Sequence, residues 1–211
     1  MDTLLRRRQM MIGDGPQFHT WLVFDGTAQV QTDIMLPTNG SVRVACGYET
    51  VKGQQGIFGA YNGTKFVFGI WLSSQTTSTQ RKLSSRYCNT SGAVDVPEIN
   101  FTTDYFLSFI TPNKWGYWSH SWATKKGTLV PDSGIIIGNP AGGQNFTGRI
   151  ATLSIYDSSA QNAGSWEELG GYTPAYTLRP CLYRREAGLW CVETDTFYGN
   201  TAGAGHLTVA D

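Results

Sequence analysis

Apolar and polar residues alternate with a period of two along much of the chain. In FDGTAQVQTDI the recurring positions are Ala28, Val30, Thr32 and Ile34, and in SVRVACGYETV they are Val42, Val44, Cys46 and Tyr48. A period of two sends successive side chains to opposite faces, so both segments are predicted as half-buried strands. GIFGAYNGTKFVFGIWL reads as a hairpin. Asn62-Gly63 supplies the residues tolerant of positive φ that a tight turn needs, and Phe66, Phe68, Ile70 and Leu72 line one face of the second arm. The polar run Thr76 to Ser85 is an edge strand or a loop. DYFLSFIT sets Tyr105, Leu107 and Phe109 against Phe106 and Ile110, and Pro112-Asn113 then breaks the run. KWGYWSHSW, GIIIG and FTGRIATLSIYD continue the series, with strand signals recurring about every ten residues, the rhythm of a sandwich rather than of an α/β fold. One short helix is predicted, with Ser165 as N-cap of WEEL and Gly170-Gly171 ending it. The tail, 172–211, carries Pro174 and Pro180 and then two short strands, LWCVE and HLTVA.

Composition supports the same fold class. Charged residues make up 15% of the 211-residue chain, while aromatics reach 13% and glycines number 25. Few charges with many turn formers and aromatics fit an all-β chain of short strands, and all-β domains of this length often stay undivided. We therefore expect an arm over 1–17 and one antiparallel jelly-roll sandwich over 18–211 that includes the C-terminal hairpin, 172–211. The formal net charge is zero, which argues against nucleic acid as a partner. The four cysteines, Cys46, Cys88, Cys181 and Cys191, include no C-x-x-C pair and are read as buried thiols, with a Cys181–Cys191 contact across a hairpin as the alternative. No stretch approaches the ~20 apolar residues of a membrane helix. Near the start, Arg6, Arg7 and Arg8 precede an apolar run of only Met10, Met11 and Ile12, too short for a secretory signal.

Two resemblances extend this reading. FTGRIATLSIYDSSAQ is similar to a late strand of laminin-G-like and pentraxin-like jelly rolls, through Phe146, Gly148, Ile150, Leu153, Ile155 and Tyr156. FDGTAQVQTDIMLP resembles the first strand of the same domains. Together they imply a concanavalin A-like lectin/glucanase sandwich. The leader and the tail resemble a group of proteins from gut bacteria and their phages. The tail match runs through Arg179, Pro180, Arg184 and Arg185, then Gly188, Leu189 and Trp190, and closes on Phe197, Tyr198, Asn200, Gly203 and Gly205. This second resemblance implies a virion component, a fibre or decoration protein, that docks onto other virion proteins through Arg6, Arg7 and Arg8 and forms a homo-oligomer. A bacterial surface adhesin is the alternative setting.

Candidate chemistry is sparse. Jelly-roll glucanases carry carboxylates as Glu-x-Asp-x-(x)-Glu on one strand, and a retaining mechanism needs two of them about 5–5.5 Å apart. Glu193 and Asp195 match the first two places, but Phe197 and Tyr198 stand where the third belongs. We expect no catalytic residues, and His19, His120 and His206 sit in no nucleophile motif. The lectin-like resemblance would allow a structural Ca²⁺ at the rim. Asp95, Glu98, Asp104, Asp132 and Asp157 are too dispersed to supply its six to eight oxygens, so no metal or other cofactor is expected. The strongest binding signal is the aromatic cluster Trp115, Tyr117, Trp118, His120 and Trp122. On one continuous strand, Trp115 and Tyr117 would share a face and Trp118, His120 and Trp122 the other. One face would enter the core. The other would stack on a host glycan, with burial in a subunit contact as the alternative.

Overall fold

The computed structural model describes residues 15–48, 54–63, 65–75, 80–87, 94–95, 99–100, 105–117, 120–123, 131–138 and 146–211. The first strands are β1 (Gln17–Phe18), β2 (Trp21–Asp25), β3 (Val30–Gln31), β4 (Ser41–Tyr48), β5 (Gln55–Asn62) and β6 (Lys65–Gln75). Next come β7 (Gln80–Tyr87), β8 (Val94–Asp95), β9 (Ile99–Asn100), β10 (Phe106–Ile110), β11 (Lys114–Tyr117) and β12 (His120–Ala123). The series ends with β13 (Ile136–Ile137), β14 (Thr147–Tyr156), β15 (Tyr176–Tyr183), β16 (Glu186–Cys191), β17 (Thr196–Tyr198) and β18 (Leu207–Ala210). One α-helix, α1 (Trp166–Gly170), precedes β15.

These strands form two antiparallel sheets. The first runs β12-β11-β10-β4-β14-β15-β16-β17, with β2 between β14 and β18 and β1 against β15. The second runs β3-β13-β5-β6-β7-β8, with β9 also on β7. The core lies between them. Val42, Val44, Cys46, Ile150, Leu153 and Ile155 come from the first sheet, and Ile57, Phe58, Phe68, Ile70, Leu72 and Ile137 from the second. Each such side chain, taken fully out of water, contributes about 1.5–3 kcal/mol. A smaller apolar cluster sits on the outer face of the first sheet, where Phe109 and Tyr156 pack beneath Leu169 of α1 with Ala160 and Ala163.

The alternation rule located the buried residues better than it located the strands. Ala28, Val30, Thr32 and Ile34 are all buried, but only Val30–Gln31 of this run is a strand. Asp25 ends β2 by accepting hydrogen bonds from the Thr27 amide at 2.8 Å, the Thr27 hydroxyl at 2.8 Å and the Ala28 amide at 3.0 Å. That Asx turn bends the chain from the first sheet to the second. Phe66 also departs from expectation. A register shift opposite Ala60 and Tyr61 brings Val67 and Phe68 both into the core. Phe66 lies on the outer face instead, across Gly59 and Gly69, with its ring against Tyr61 and Trp71. An extra residue in one strand produces such a flip.

Other expectations match. The polar run after Thr76 contains the strand β7. Ser165 caps α1, its hydroxyl accepting from the Glu168 amide at 3.1 Å. Cys46, Cys181 and Cys191 are buried free thiols. In the β15–β16 ladder Cys181 faces Gly188 and Cys191 faces Leu178, so the two cysteines do not oppose one another. Burial raises the Cys181 thiol to about 11, which keeps it protonated and inert at neutral pH. Cys88 lies outside the described residues.

The tail is tied to the opposite sheet by a polar clasp. Asn200 Oδ1 accepts from the Gln29 and Ala202 amides at 3.1 Å each, and its Nδ2 donates to the carbonyls of Ala204 and Gly205 at 3.0 Å each. The Thr201 amide donates to the Gln29 carbonyl at 2.7 Å, and its hydroxyl accepts from the Gln31 amide at 3.1 Å. The Tyr198 hydroxyl donates to Asp33. Gly205, with φ of +80°, lies so close to Thr27 that a Cβ there would stand 2.2 Å from the Thr27 hydroxyl oxygen, so only glycine fits. The closing residues that carried the tail resemblance thus hold the sandwich shut.

Candidate functional site

The first sheet is irregular where β14 changes partners. One edge of β14 pairs with β4 from Gly148 to Tyr156. Its other edge pairs with β2 over Thr147–Ile150 and with β15 over Leu153–Ile155. Between these stretches the register shifts, and Ala151 and Thr152 fall in the shift. β1 meets β15 nearby, with Phe18 opposite Cys181. The His19 amide then donates to the Pro180 carbonyl at 3.0 Å. Proline has no N–H to return the bond, so the ladder stops and the chain crosses to β2.

A groove of about 450 Å³ opens on the outer face at this junction. Ala45, Ala151, Thr152 and Ser154 line it from β4 and β14, Phe18 from β1 and Trp166 from α1. Phe18 is 40% exposed. Two arginines enter the same groove. The Arg43 guanidinium lies 4.9 Å from the centre of the Trp166 ring and 6.0 Å from that of Tyr156. The Arg179 guanidinium lies 4.0 Å from the centre of Phe18. Cation–π contacts of this kind contribute roughly 0.5–2 kcal/mol each, rising as water is excluded. Burial pushes the Tyr156 phenol up, and the Arg43 charge beside it works the other way. Gly170 makes room for Arg43, since a Cβ there would stand 2.1 Å from its Nη1.

Neither Arg43 nor Arg179 forms an ion pair among the described residues. The carboxylate lining the groove, Asp211, is engaged by His19 Nδ1 at 3.0 Å. The groove therefore presents stacked guanidinium groups, aromatic edges and the hydroxyls of Thr20, Thr152 and Ser154. It is equipped to hold a polar ligand, by hydrogen bonds to its oxygens, against the sheet. Further along the same face, Arg149 lies 4.6 Å from the centre of the Trp21 ring.

The aromatic segment highlighted in the sequence is arranged differently from the expected single strand. β11 and β12 form a hairpin that sets Trp115 opposite Trp122 and Tyr117 opposite His120. Pairing Trp115 with Trp122 across the two strands replaces the single continuous strand on which the two-face assignment rested. Trp115 is fully buried in the main core, and Tyr117 is half-buried against it. Burial raises the Tyr117 phenol. Trp115 therefore offers no ring to a ligand. Trp118 lies outside the described residues, and His120 and Trp122 are placed by backbone register alone. Arg6, Arg7 and Arg8 also lie outside the described residues.

The carboxylate candidates are separated by the fold. Glu193 and Asp195 sit in the turn between β16 and β17, not on a strand face. Glu193 accepts from the Thr177 amide at 2.6 Å, and Asp195 has a positive φ of 54°. Asp132 accepts from the Gly63 amide at 2.7 Å and Asp157 from the Ser159 amide at 2.9 Å, so both carboxylates serve turns. Glu98 and Asp104 lie outside the described residues. Among the described residues no three His, Cys, Asp or Glu side chains gather as metal ligands.

Sequence reasoning passed over Arg43 and named Arg179 only within the tail resemblance, although a signal for both was present. Val42-Arg43-Val44, Gly148-Arg149-Ile150 and Leu178-Arg179-Pro180 each place an arginine at the outward position of a strand. Arg43 and Arg179 come from different strands, with Arg149 on a third strand further along the face, so no linear motif joins them.

The two antiparallel sheets define a jelly-roll sandwich of the lectin-like class. Two solved structures share it. One is a candidate carbohydrate-binding protein from Bacteroides ovatus, with a TM-score of 0.62 and 10% identity over 92% of this chain. The chain spans 61% of the length of that protein. The other is a heptameric SAP-like pentraxin from Limulus polyphemus, with a TM-score of 0.61, 12% identity, and coverage of 91% of this chain and 94% of the pentraxin. No protein-family model matches the sequence, and no curated protein matches it significantly.

Proposed function

We propose that this protein is a non-enzymatic, lectin-like carbohydrate-binding protein whose ligand lies in the groove over β4, β14 and β15. The carrying observation is the groove itself: about 450 Å³, open to solvent, flanked by Phe18 and Trp166 and lined by serine and threonine hydroxyls. Sugars present both hydroxyl groups and C–H surfaces, and such a lining serves both. The lectin-like fold, shared with a candidate carbohydrate-binding protein, supports the reading. The turn position of Glu193 and Asp195 agrees with binding without hydrolysis. A glycan array should give saturable binding that Phe18→Ala and Trp166→Ala each weaken at least tenfold. Binding untouched by both substitutions would move the site elsewhere. Absence of binding to any glycan would refute the function.

The finer setting rests on the leader and tail resemblance. In this reading the protein is a homo-oligomeric virion fibre or decoration component, with Arg6, Arg7 and Arg8 docking it to other virion proteins and the groove facing host glycans. The alternative setting is a bacterial surface adhesin. Portal, capsid and tail genes beside the coding sequence, with a native mass above that of one chain, would bear out the virion setting. Genes for surface polysaccharide use in that neighbourhood would favour the adhesin.

A further inference from the structure

We infer that the groove selects an acidic saccharide, one whose carboxylate or sulfate is held by Arg43 and Arg179. This inference rests on the carbohydrate-binding reading and adds the charge of the ligand. The two guanidinium groups come from different strands yet line one groove. Each lies over an aromatic ring, Arg43 over Trp166 at 4.9 Å and Arg179 over Phe18 at 4.0 Å. A guanidinium set against a ring can still turn N–H donors toward an acceptor, although Arg43 also lies beside the Tyr156 phenol. Oxyanions match a guanidinium edge, since two parallel N–H donors meet two oxygens.

The charge balance points the same way. Neither arginine has an ion-pair partner among the described residues, and Asp211 is engaged by His19. With the Asp211 carboxylate already held by His19, the two guanidinium groups set against the rings are the donors the groove offers to an oxyanion. The neighbouring Thr152 and Ser154 hydroxyls suit the neutral oxygens of the same ligand. Lysines would supply charge without the planar edge, so the use of arginine at both places fits a carboxylate or sulfate, each of which presents paired oxygens.

The test is calorimetric titration of the full chain with three probes: an oligogalacturonate, the same oligosaccharide after reduction of its carboxyls, and a chondroitin sulfate oligosaccharide. At least one acidic probe should bind at least tenfold more tightly than the carboxyl-reduced one, with affinity falling as salt rises. Preference for the carboxylated or for the sulfated probe identifies the anion. Arg43→Gln and Arg179→Gln should each weaken the acidic probe at least tenfold and the carboxyl-reduced one by much less. Arg179 is exposed, so Arg179→Gln keeps the test valid if Arg43→Gln perturbs folding, which thermal melting would reveal. Equal binding of neutral and acidic probes, or acidic binding indifferent to Arg179→Gln, would overturn the inference while sparing the carbohydrate-binding reading. No binding of any of the three probes, together with a blank glycan array, would overturn both.

Discussion

The C-terminal clasp and the groove both lie on the first sheet and both are polar, yet they meet their hydrogen-bonding needs in opposite ways. In the clasp, Asn200 has all four of its bonds inside the chain, Thr201 bridges to Gln29 and Gln31, and Tyr198 reaches Asp33. Its polar groups are consumed in holding β17 and β18 against the opposite sheet. In the groove, Arg43 and Arg179 are stacked on rings and have no carboxylate partner among the described residues. Polar groups satisfied internally stabilise a fold, while polar groups held in place and left open recognise something else. Sequence distinctiveness did not separate the two regions. The tail motif was the more recognisable text, and it serves both regions: Tyr198, Asn200 and Gly205 belong to the clasp, while Arg179 lines the groove.

The sharpest way to probe this division is to damage scaffold and groove separately. Trp115→Ala empties a fully buried site in the core and should cost about 3–5 kcal/mol in denaturant unfolding. A protein that loses less than 1 kcal/mol would show that Trp115 is not core. In the clasp, Asn200→Ala removes four hydrogen bonds at an exposed site where water replaces part of them. We expect a loss of about 2 kcal/mol, or about 4–8 °C in Tm, with glycan affinity unchanged.

A pH titration tests the clasp more finely. Desolvation works upward on the Asp25 carboxyl, but bonds from the amides of His206, Thr27 and Ala28 and from the Thr27 hydroxyl outweigh it and hold the group at about 2, below its ordinary 3.8. The folded chain therefore binds fewer protons than the unfolded chain between these values. The stabilisation is complete above about pH 4 and is lost as pH falls through about 2. Asp25→Asn should remove that part of the acid dependence, measured as Tm against pH. The smallest effect on stability belongs to the groove: Arg179→Gln, at an exposed position, should change Tm by less than about 2 °C.

Much of this architecture was legible before any coordinates. Period-two runs identified the inward residues of β4, the jelly-roll resemblance those of β14, and Ser165 with Gly170-Gly171 marked the one α-helix among the described residues. Two kinds of information were not legible. One was register: the bulge that turns Phe66 outward and the pairing of β11 with β12 depend on which residues meet across strands, and periodicity along one strand is silent on that. The other was convergence. Phe18, Arg43, Trp166 and Arg179 come together only because β14 passes from β2 to β15 and α1 packs on the outer face. A dense aromatic run such as KWGYWSHSW draws attention as a ligand platform, yet Trp115 within it is core.

The most direct test of the central claim is a structure of the protein with a glycan taken from the array. The account predicts the sugar in the groove over β4, β14 and β15, touching Phe18 or Trp166 and within hydrogen-bonding reach of Arg43 or Arg179. A sugar bound on the 115–122 hairpin or on the second sheet, with that groove empty, would contradict it.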